Sequence, residues 1–442
     1  MADLDTRTLA ATVADGGRLR ALLLELWQRT RMDWGFVTDR LAVTFRKERW
    51  IGAHERRFVS ETLYGMVRNL RRIDLALERA RRTKQAPRDL ERLLALLVLE
   101  GSLDAARAKQ LAPELDWSAV MGVDAAIANE RKPAKRIALA ASLPDWLAEA
   151  LVADHGDRAE ALAHALNERA PMTVRANTLV NDRDALAAAL QQEQLATHAG
   201  AWSDTALVVD TRTNLFGTAA FTAGAFEAQD EGSQLLAELA TPTAAKPLVI
   251  DYCAGAGGKT LAIAARLANH GRIIATDIDD KKLGELRRRA RRAKVSNARA
   301  LRIDDRELDG VRGKADLVFV DAPCTGTGAL RRNPEARWRL RESELAGFAA
   351  RQLEIVGNAK LLLAPGGLLV YATCSVLAAE NSQVTTAIVG AHEDLRAVPL
   401  TERFDAERAA ALAGFGADMD ALAVTPDRHG TDGFYARLFR RT

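Results

Sequence analysis

The stretch "VIDYCAGAGGKT", Val249 to Thr260, decides how this chain is read. An apolar run, "PLVI", leads into Asp251, then into a loop with Gly255, Gly257 and Gly258, then into a helical pattern. Glycines there let the backbone turn tightly and bring bare amides close to a ligand. A strand, a glycine loop and a helix in that order are the opening unit of an open α/β sheet.

Working outward, strand and helix patterns alternate from about Phe226 to the end. The strands expected are "PLVIDY", "GRIIATDI", "ARALRID", "ADLVFVDA" and "GGLLVYAT". They are continuous apolar runs, as strands buried on both faces should be. Between them lie helical stretches such as "DKKLGELRRRARRAK" and "ESELAGFAARQLEIVGNAKLLL". The expectation is a doubly wound sheet whose ligands bind beyond the carboxyl ends of the strands. Upstream, residues 142–225 read as a small mixed α/β region, with strands at "MTVRANTLV" and "DTALVVD" and two short helices broken near His155 and Gly156. Residues 1–141 read as all helical. In "HERRFVSETLYGMVRNLRRIDLALERA" Val59, Leu63, Val67 and Leu70 recur every three or four positions. Three regions are thus expected, 1–141, 142–225 and 226–442.

The 442 residues allow a sizeable core, and 48% hydrophobic with 27% charged content is globular composition. Lys and Arg total 62 against 59 acids, a mild excess that suits a nucleic-acid partner without demanding one. The acidic start lacks the basic and apolar regions of a signal peptide, and no apolar run approaches the ~18 residues of a membrane span. A cytoplasmic protein without membrane contact is expected, and nothing suggests more than a monomer. Cys253, Cys324 and Cys374 are odd in number and far apart, so neither a disulfide framework nor, with no CxxC pair, a metal site is expected.

Three motif classes compete for the glycine loop. A P-loop fits at Gly258, Lys259 and Thr260, but Cys253 stands where its first glycine belongs. A dinucleotide fingerprint fits at Gly255 and Gly257 but meets Thr260 at its third glycine. An S-adenosylmethionine loop needs no strict glycine register, only backbone approach and an acid for the ribose. Asp277 ends the next strand about twenty residues on, the spacing of a ribose acid. Its competing role is a helix N-cap, which Asp279 or Asp280 could take instead. Asp304 ends the third strand, where it could accept from an adenine amine, with Asp305 as its competitor.

"VDAPCTGTG" and "YATCS" end neighbouring strands, so Cys324 and Cys374 should face one pocket beside Asp321. A cysteine taken alone is more often an inert buried thiol. Two of them beside a methyl donor suggest a specific chemistry. Carbon 5 of a pyrimidine is too poor a nucleophile to take a methyl group until a thiolate adds to carbon 6. An acid must then stabilise charge at N3 or N4, and a base must remove the carbon 5 proton.

"CAGAGGK", "TDID", "DAPCTGTG" and "YATCS", with "VRANTLV" and "AQDEGSQ" before them and "RRNPEARW" and "GTDGFYARLFRR" after, resemble the Sun (Fmu) family of RNA cytosine-5 methyltransferases. The resemblance covers roughly residues 170–442. It implies a Rossmann-like, seven-stranded methyltransferase domain that uses S-adenosylmethionine. It further implies Cys374 as nucleophile, Cys324 in release of the product, and a cofactor loop of Cys253, Ala254, Gly255, Ala256, Gly257, Gly258 and Lys259, with Asp277, Asp304 and Asp321 as further contacts. Ala256 departs from the proline of many members, which removes rigidity but no donor. The helical N-terminal region is similar to the NusB-like RNA-binding domain of the small-subunit ribosomal RNA members.

RNA is therefore the expected partner, ribosomal first and tRNA as the alternative. "LRRNPEARWRLR" interleaves Trp338 with arginines and is expected to hold RNA by phosphate contacts and stacking. "LRRRARRAK" reads as a solvated helix face. The rival readings are a P-loop NTPase and an RNA-binding assembly factor without catalysis.

Overall fold

The computed structural model describes residues 4–81, 85–210, 214–414 and 419–442. The chain forms two compact units. One comprises Met1–Arg169 together with Leu330–Glu342, the other Ala170–Ala329 together with Ser343–Thr442.

The first unit is helical, from Leu4–Asp15 through Ala159–Asn167. The apolar stripe read from sequence is buried: Val59, Leu63 and Val67 are fully covered. It runs across a break at Asn69, which separates the helix Ala53–Arg68 from Leu70–Ala80. In the second helix Ile73, Ala76, Leu77 and Ala80 turn inward, the i, i+3, i+4, i+7 pattern of one helix face. Arg71 and Arg72, which interrupt the stripe, tie helices together through Asp145 and Asp124, both at 2.6 Å. The expected break near His155 is a single 3₁₀ turn, Gly156–Arg158.

The segment Leu330–Glu342 packs into this helical core with part of its basic row, while Arg339 and Arg341 stay exposed. Arg337 is fully buried, and its Nη1 donates to the Ala141 carbonyl and to Asn167 Oδ1, both at 2.8 Å. Trp338 lies 5.7 Å from Trp34, ring to ring, and donates to the Val67 carbonyl. Arg337 and Trp338 of the basic and aromatic pattern thus serve internal packing.

The second unit holds two sheets. The smaller is antiparallel, built from β1 (Met172–Ala176), β2 (Thr197–Ala199), β3 (Ala206–Val209) and β4 (Phe226–Ala228) in the order β2-β3-β1-β4. The alternating strand–helix pattern therefore starts later than Phe226, because Phe226–Ala228 pairs with β1.

The larger sheet contains β5 (Leu248–Asp251), β6 (Arg272–Asp277), β7 (Ala298–Arg302), β8 (Ala315–Asp321), β9 (Leu363–Thr373), β10 (Leu395–Val398), β11 (Leu422–Val424) and β12 (Phe434–Arg441). Seven strands follow the order β10-β12-β9-β8-β5-β6-β7, and the short β11 pairs with β12 beside that row. The β7-β6-β5-β8-β9 stretch is parallel, and β12 runs antiparallel to β9. Successive strand residues feed opposite cores. Val249, Leu317, Phe319 and Val370 pack on one face, and Ile250, Val318, Val320 and Tyr371 on the other. The chain reverses direction across the sheet between β5 and β8, which places a crevice beyond their carboxyl ends. Among the described residues no helix is long and apolar enough to cross a membrane.

Candidate active site

The glycine loop leaves β5 after Asp251 and is held on several sides. Ala254 donates to the Thr276 carbonyl at 2.8 Å, and Gly258 accepts from Gln229 Nε2. Gly257, with φ +83°, starts the helix Gly258–Arg266, and a Cβ there would meet Leu286 Cγ at 2.5 Å. Gly255 (φ +54°) has nothing within 4 Å of where its Cβ would lie, which leaves open space beside the loop. Arg289 donates from Nη1 to the Ala256 carbonyl at 2.9 Å, bracing the position where proline is absent. Arg289 and Arg292 also pair with the buried Glu227. The helix Asp280–Arg292 is therefore not simply a solvated face: Arg289 and Arg292, with Arg287 on the Ala300 carbonyl, make three of its five arginines structural.

Asp277 ends β6. Its Oδ2 accepts from the Gly255 amide and its Oδ1 from the Asp279 amide, both at 2.9 Å. Asp279, not Asp277, caps the following helix through the Lys281 and Lys282 amides. Asp277 is thus fixed against the loop with lone pairs to spare, and its neighbour Ile278 is an apolar side chain 71% exposed. Sequence reasoning overlooked Ile278, whose only signal is an apolar residue inside an acidic turn. Asp304 is joined to this turn through Arg302, which also donates to the Ile278 carbonyl and to Asp280. It is exposed, paired with Arg302 at 3.0 Å, and lines a pocket of about 250 Å³ with Tyr252 and Ile303. Its competitor Asp305 caps the next turn through the Glu307 amide.

At the base of the loop Asp251 is buried. Its Oδ2 accepts from the Thr260 hydroxyl at 2.6 Å, while Oδ1 has no partner. Burial pushes this carboxyl up to about 7. Cys253 is half-buried, and burial, with Asp321, Asp251 and Asp277 nearby, pushes its thiol well up, so it stays protonated. Lys259 points to Asp321, with Nζ 2.6 Å from Oδ2. Burial works against its charge, but Asp321 and, beyond it, Cys374 and Asp251 hold its pKa above the ordinary value. A lysine committed in this way is not the free phosphate-binding lysine of a P-loop.

Parallel pairing of Asp321 with Ala372 carries the two cysteines to the same edge. Cys324 and Cys374 are 3.4 Å apart, sulfur to sulfur, although fifty residues separate them. The hydrogen bond with Cys374 and then burial push the Cys324 thiol well up, so Cys324 keeps its proton at neutral pH. Gly328 locks the arrangement: its amide donates to the Cys374 carbonyl, and its own carbonyl accepts from Gly433, both at 2.9 Å. A Cβ on Gly328 would sit 2.1 Å from the Gly433 carbonyl oxygen, so the close approach requires glycine. Glu380 and Asn381, which sequence reasoning did not single out, lie buried under both cysteine loops. Asn381 donates to the Ser375 carbonyl at 2.9 Å and accepts from the Thr373 hydroxyl at 2.6 Å.

The arrangement offers two thiols in contact, a carboxylate bridged to a buried ammonium, and a glycine cradle with a fixed acid. Its donor set suits an organic cofactor with a ribose. No group of three or more metal-ligating side chains occurs among the described residues.

Comparison with known proteins establishes the family. The family model described as "16S rRNA methyltransferase RsmB/F" matches residues 239–440, and one for an RsmF/B-like ferredoxin-like domain matches residues 143–215. Ribosomal RNA small subunit methyltransferase B of Shewanella oneidensis is 30% identical over 307 residues, 69% of this chain and 68% of that protein. The protein of the same name from Vibrio cholerae is 30% identical, covering 66% of this chain and 64% of its own length. The probable counterpart from Synechocystis is 28% identical over 86% of this chain and 90% of its own. Among solved structures, PH0851 covers all of both chains with a TM-score of 0.75 at 23% identity, a likeness of fold. NSun6 from Pyrococcus horikoshii, solved with SFG, covers 66% of this chain and 97% of its own with a TM-score of 0.58 at 21% identity, again a likeness of fold. The chain belongs to the RsmB/F (Sun) family of ribosomal RNA methyltransferases.

Proposed function

We propose that this protein methylates carbon 5 of a cytosine in small-subunit ribosomal RNA through a covalent adduct on Cys374. The observation that carries this reading is the pair of sulfurs 3.4 Å apart beside the Lys259–Asp321 pair. S-adenosylmethionine supplies the methyl group. The loop Cys253–Lys259 holds its methionine part, Asp277 accepts from its ribose hydroxyls, and Ile278 offers an apolar face to its base. Asp304, one of several polar groups lining the neighbouring pocket, completes the cofactor contacts from there.

In the reaction the Cys374 thiolate bonds to carbon 6, and the ring's electron pair moves to carbon 5. Asp321, bridged to the Lys259 ammonium, supplies the polar pair that stabilises charge on the ring. Carbon 5 takes the methyl group and then carries both methyl and proton. Once the Cys374 sulfur is bonded to carbon 6, the hydrogen bond that held the Cys324 proton is gone; Cys324 passes that proton to solvent, its thiolate removes the carbon 5 proton, and the carbon 6–sulfur bond breaks to return the Cys374 thiolate. The target cytosine must be unstacked to be reached, so it should lie in a loop or be flipped.

The test is a denaturing gel of protein, S-adenosylmethionine and unmodified small-subunit ribosomal RNA. Cys324→Ser should accumulate a slow-migrating RNA adduct that vanishes in the Cys324→Ser/Cys374→Ser double variant. An adduct that survives loss of Cys374 would reverse or share the roles. Turnover by Cys374→Ser would end the covalent reading. The same gel with tRNA tests the alternative substrate. Binding of S-adenosylhomocysteine without turnover on any RNA would favour a non-catalytic assembly factor.

A further inference from the structure

The Glu380 carboxylate is fully buried yet makes no hydrogen bond to Cys374 or its strand. Its bonds run instead to the loop of the other cysteine. Oε1 accepts from the Thr325 amide at 2.9 Å and from Gln352 Nε2 at 3.1 Å, and Oε2 accepts from the Thr325 hydroxyl at 2.5 Å. Gln352 Nε2 also donates to the Pro323 carbonyl at 3.1 Å. The Glu380–Gln352 pair therefore grips the residue on each side of Cys324. The Tyr371 hydroxyl completes the clamp by donating to the Glu380 carbonyl at 2.6 Å. Cys374 is held through its loop's backbone by Gly328 and Asn381, and the two loops also meet where the Thr327 hydroxyl lies 3.0 Å from Ser375 Oγ.

We propose that Glu380 is a positioning residue for the release step, fixing the Cys324 loop at thiol-contact distance from Cys374. This rests on the assignment of Cys324 to release. An amide in place of the carboxylate can keep one oxygen for the Thr325 amide and Gln352, but it must donate to the Thr325 hydroxyl, so that bond reverses and the charge that gathers the donors is lost. The grip on the Cys324 loop then loosens, and a misplacement of about 1 Å costs up to roughly 100-fold in rate.

The experiment is a single-turnover time course on the full chain with S-adenosylmethionine and unmodified small-subunit ribosomal RNA, following adduct and methylated product separately. Glu380→Gln should form the adduct near the parent rate but release it roughly 10- to 100-fold more slowly. Thr325→Val should behave likewise, Thr325→Ser should restore release, and Glu380→Gln should add little to Cys324→Ser. Thr325→Val carries the test should Glu380→Gln fail to fold, with calorimetry of S-adenosylhomocysteine as the control for an intact cofactor site. The proposal is overturned if Cys324→Ser accumulates adduct while Glu380→Gln and Thr325→Val release at the parent rate. Equal slowing of adduct formation and release would also overturn it, as a general structural role. Absence of adduct with Cys324→Ser, on RNA that the parent methylates, sinks the covalent reading itself, and this proposal with it.

Discussion

Replacing Asp251 by asparagine should stabilise the protein at neutral pH, by an amount that depends on pH in a defined way. Asp251 is buried, has one unpartnered oxygen, and is held near 7 against an ordinary value of 3.8. A folded-state pKa raised above the unfolded one means the folded chain binds the proton more tightly. Stability is then fully present below about pH 4 and is lost as pH rises to about 7, beyond which it is flat. The whole loss is on the order of 4 kcal/mol. Asparagine keeps the acceptor for the Thr260 hydroxyl and cannot ionise. Urea unfolding of parent and variant between pH 5 and 8 should show the variant's advantage growing by roughly 3 kcal/mol up to pH 7. At an ordinary urea dependence that is on the order of 1 M in midpoint. Infrared difference spectra should show a protonated carboxyl band that titrates near neutrality and is missing from the variant. A midpoint difference that is the same at pH 5 and pH 8 would refute the reasoning, since Asp251 would then be ionised throughout.

Gly257→Ala should cost about 1–3 kcal/mol of stability and weaken S-adenosylhomocysteine binding at least tenfold by calorimetry, because φ is +83° and Leu286 blocks the new methyl. Gly255→Ala faces open space and should be the milder of the two in the same assay. Arg337→Ala should destabilise the helical unit by about 3–5 kcal/mol in urea, since buried acceptors at Ala141 and Asn167 lose their donor and a cavity opens. Diamide should join Cys324 to Cys374 with loss of two hydrogens in the mass spectrum, abolishing activity until dithiothreitol is added.

The parallel strands were legible because they are buried on both faces and read as unbroken apolar runs ending in acids or cysteines. Asp277, Cys324 and Cys374 followed, since strand ends on one edge of such a sheet share a crevice. The three-residue strands Thr197–Ala199 and Phe226–Ala228 carry no alternation to read; their partners in the sheet define them. Lys259 read only as part of the glycine loop, because its partner Asp321 lies sixty-two positions away, beyond any local pattern. Arg337 and Trp338 looked like an RNA-facing stripe, because composition cannot say which side of a segment tertiary packing will cover. Glu380 gave no signal at all. A glutamate after two alanines reads as surface until three donors, two from Thr325 and one from Gln352 on the helix Leu345–Lys360, are seen to converge on it.

The helical unit is not finished by its own helices. It takes in Leu330–Glu342, which supplies Arg337 for Ala141 and Asn167, Trp338 for Trp34, and Glu335 for the Val37 amide. During synthesis at about 5–20 residues per second, residues 1–169 would emerge well before that segment is made. The N-terminal helices must therefore wait, partly assembled, while the small sheet and the first half of the large sheet are translated. Vectorial folding, one domain completed before the next begins, is closed to this chain. The helical unit reaches its native core only once residue 342 has left the ribosome, and the other unit only after Phe434–Arg441 has followed.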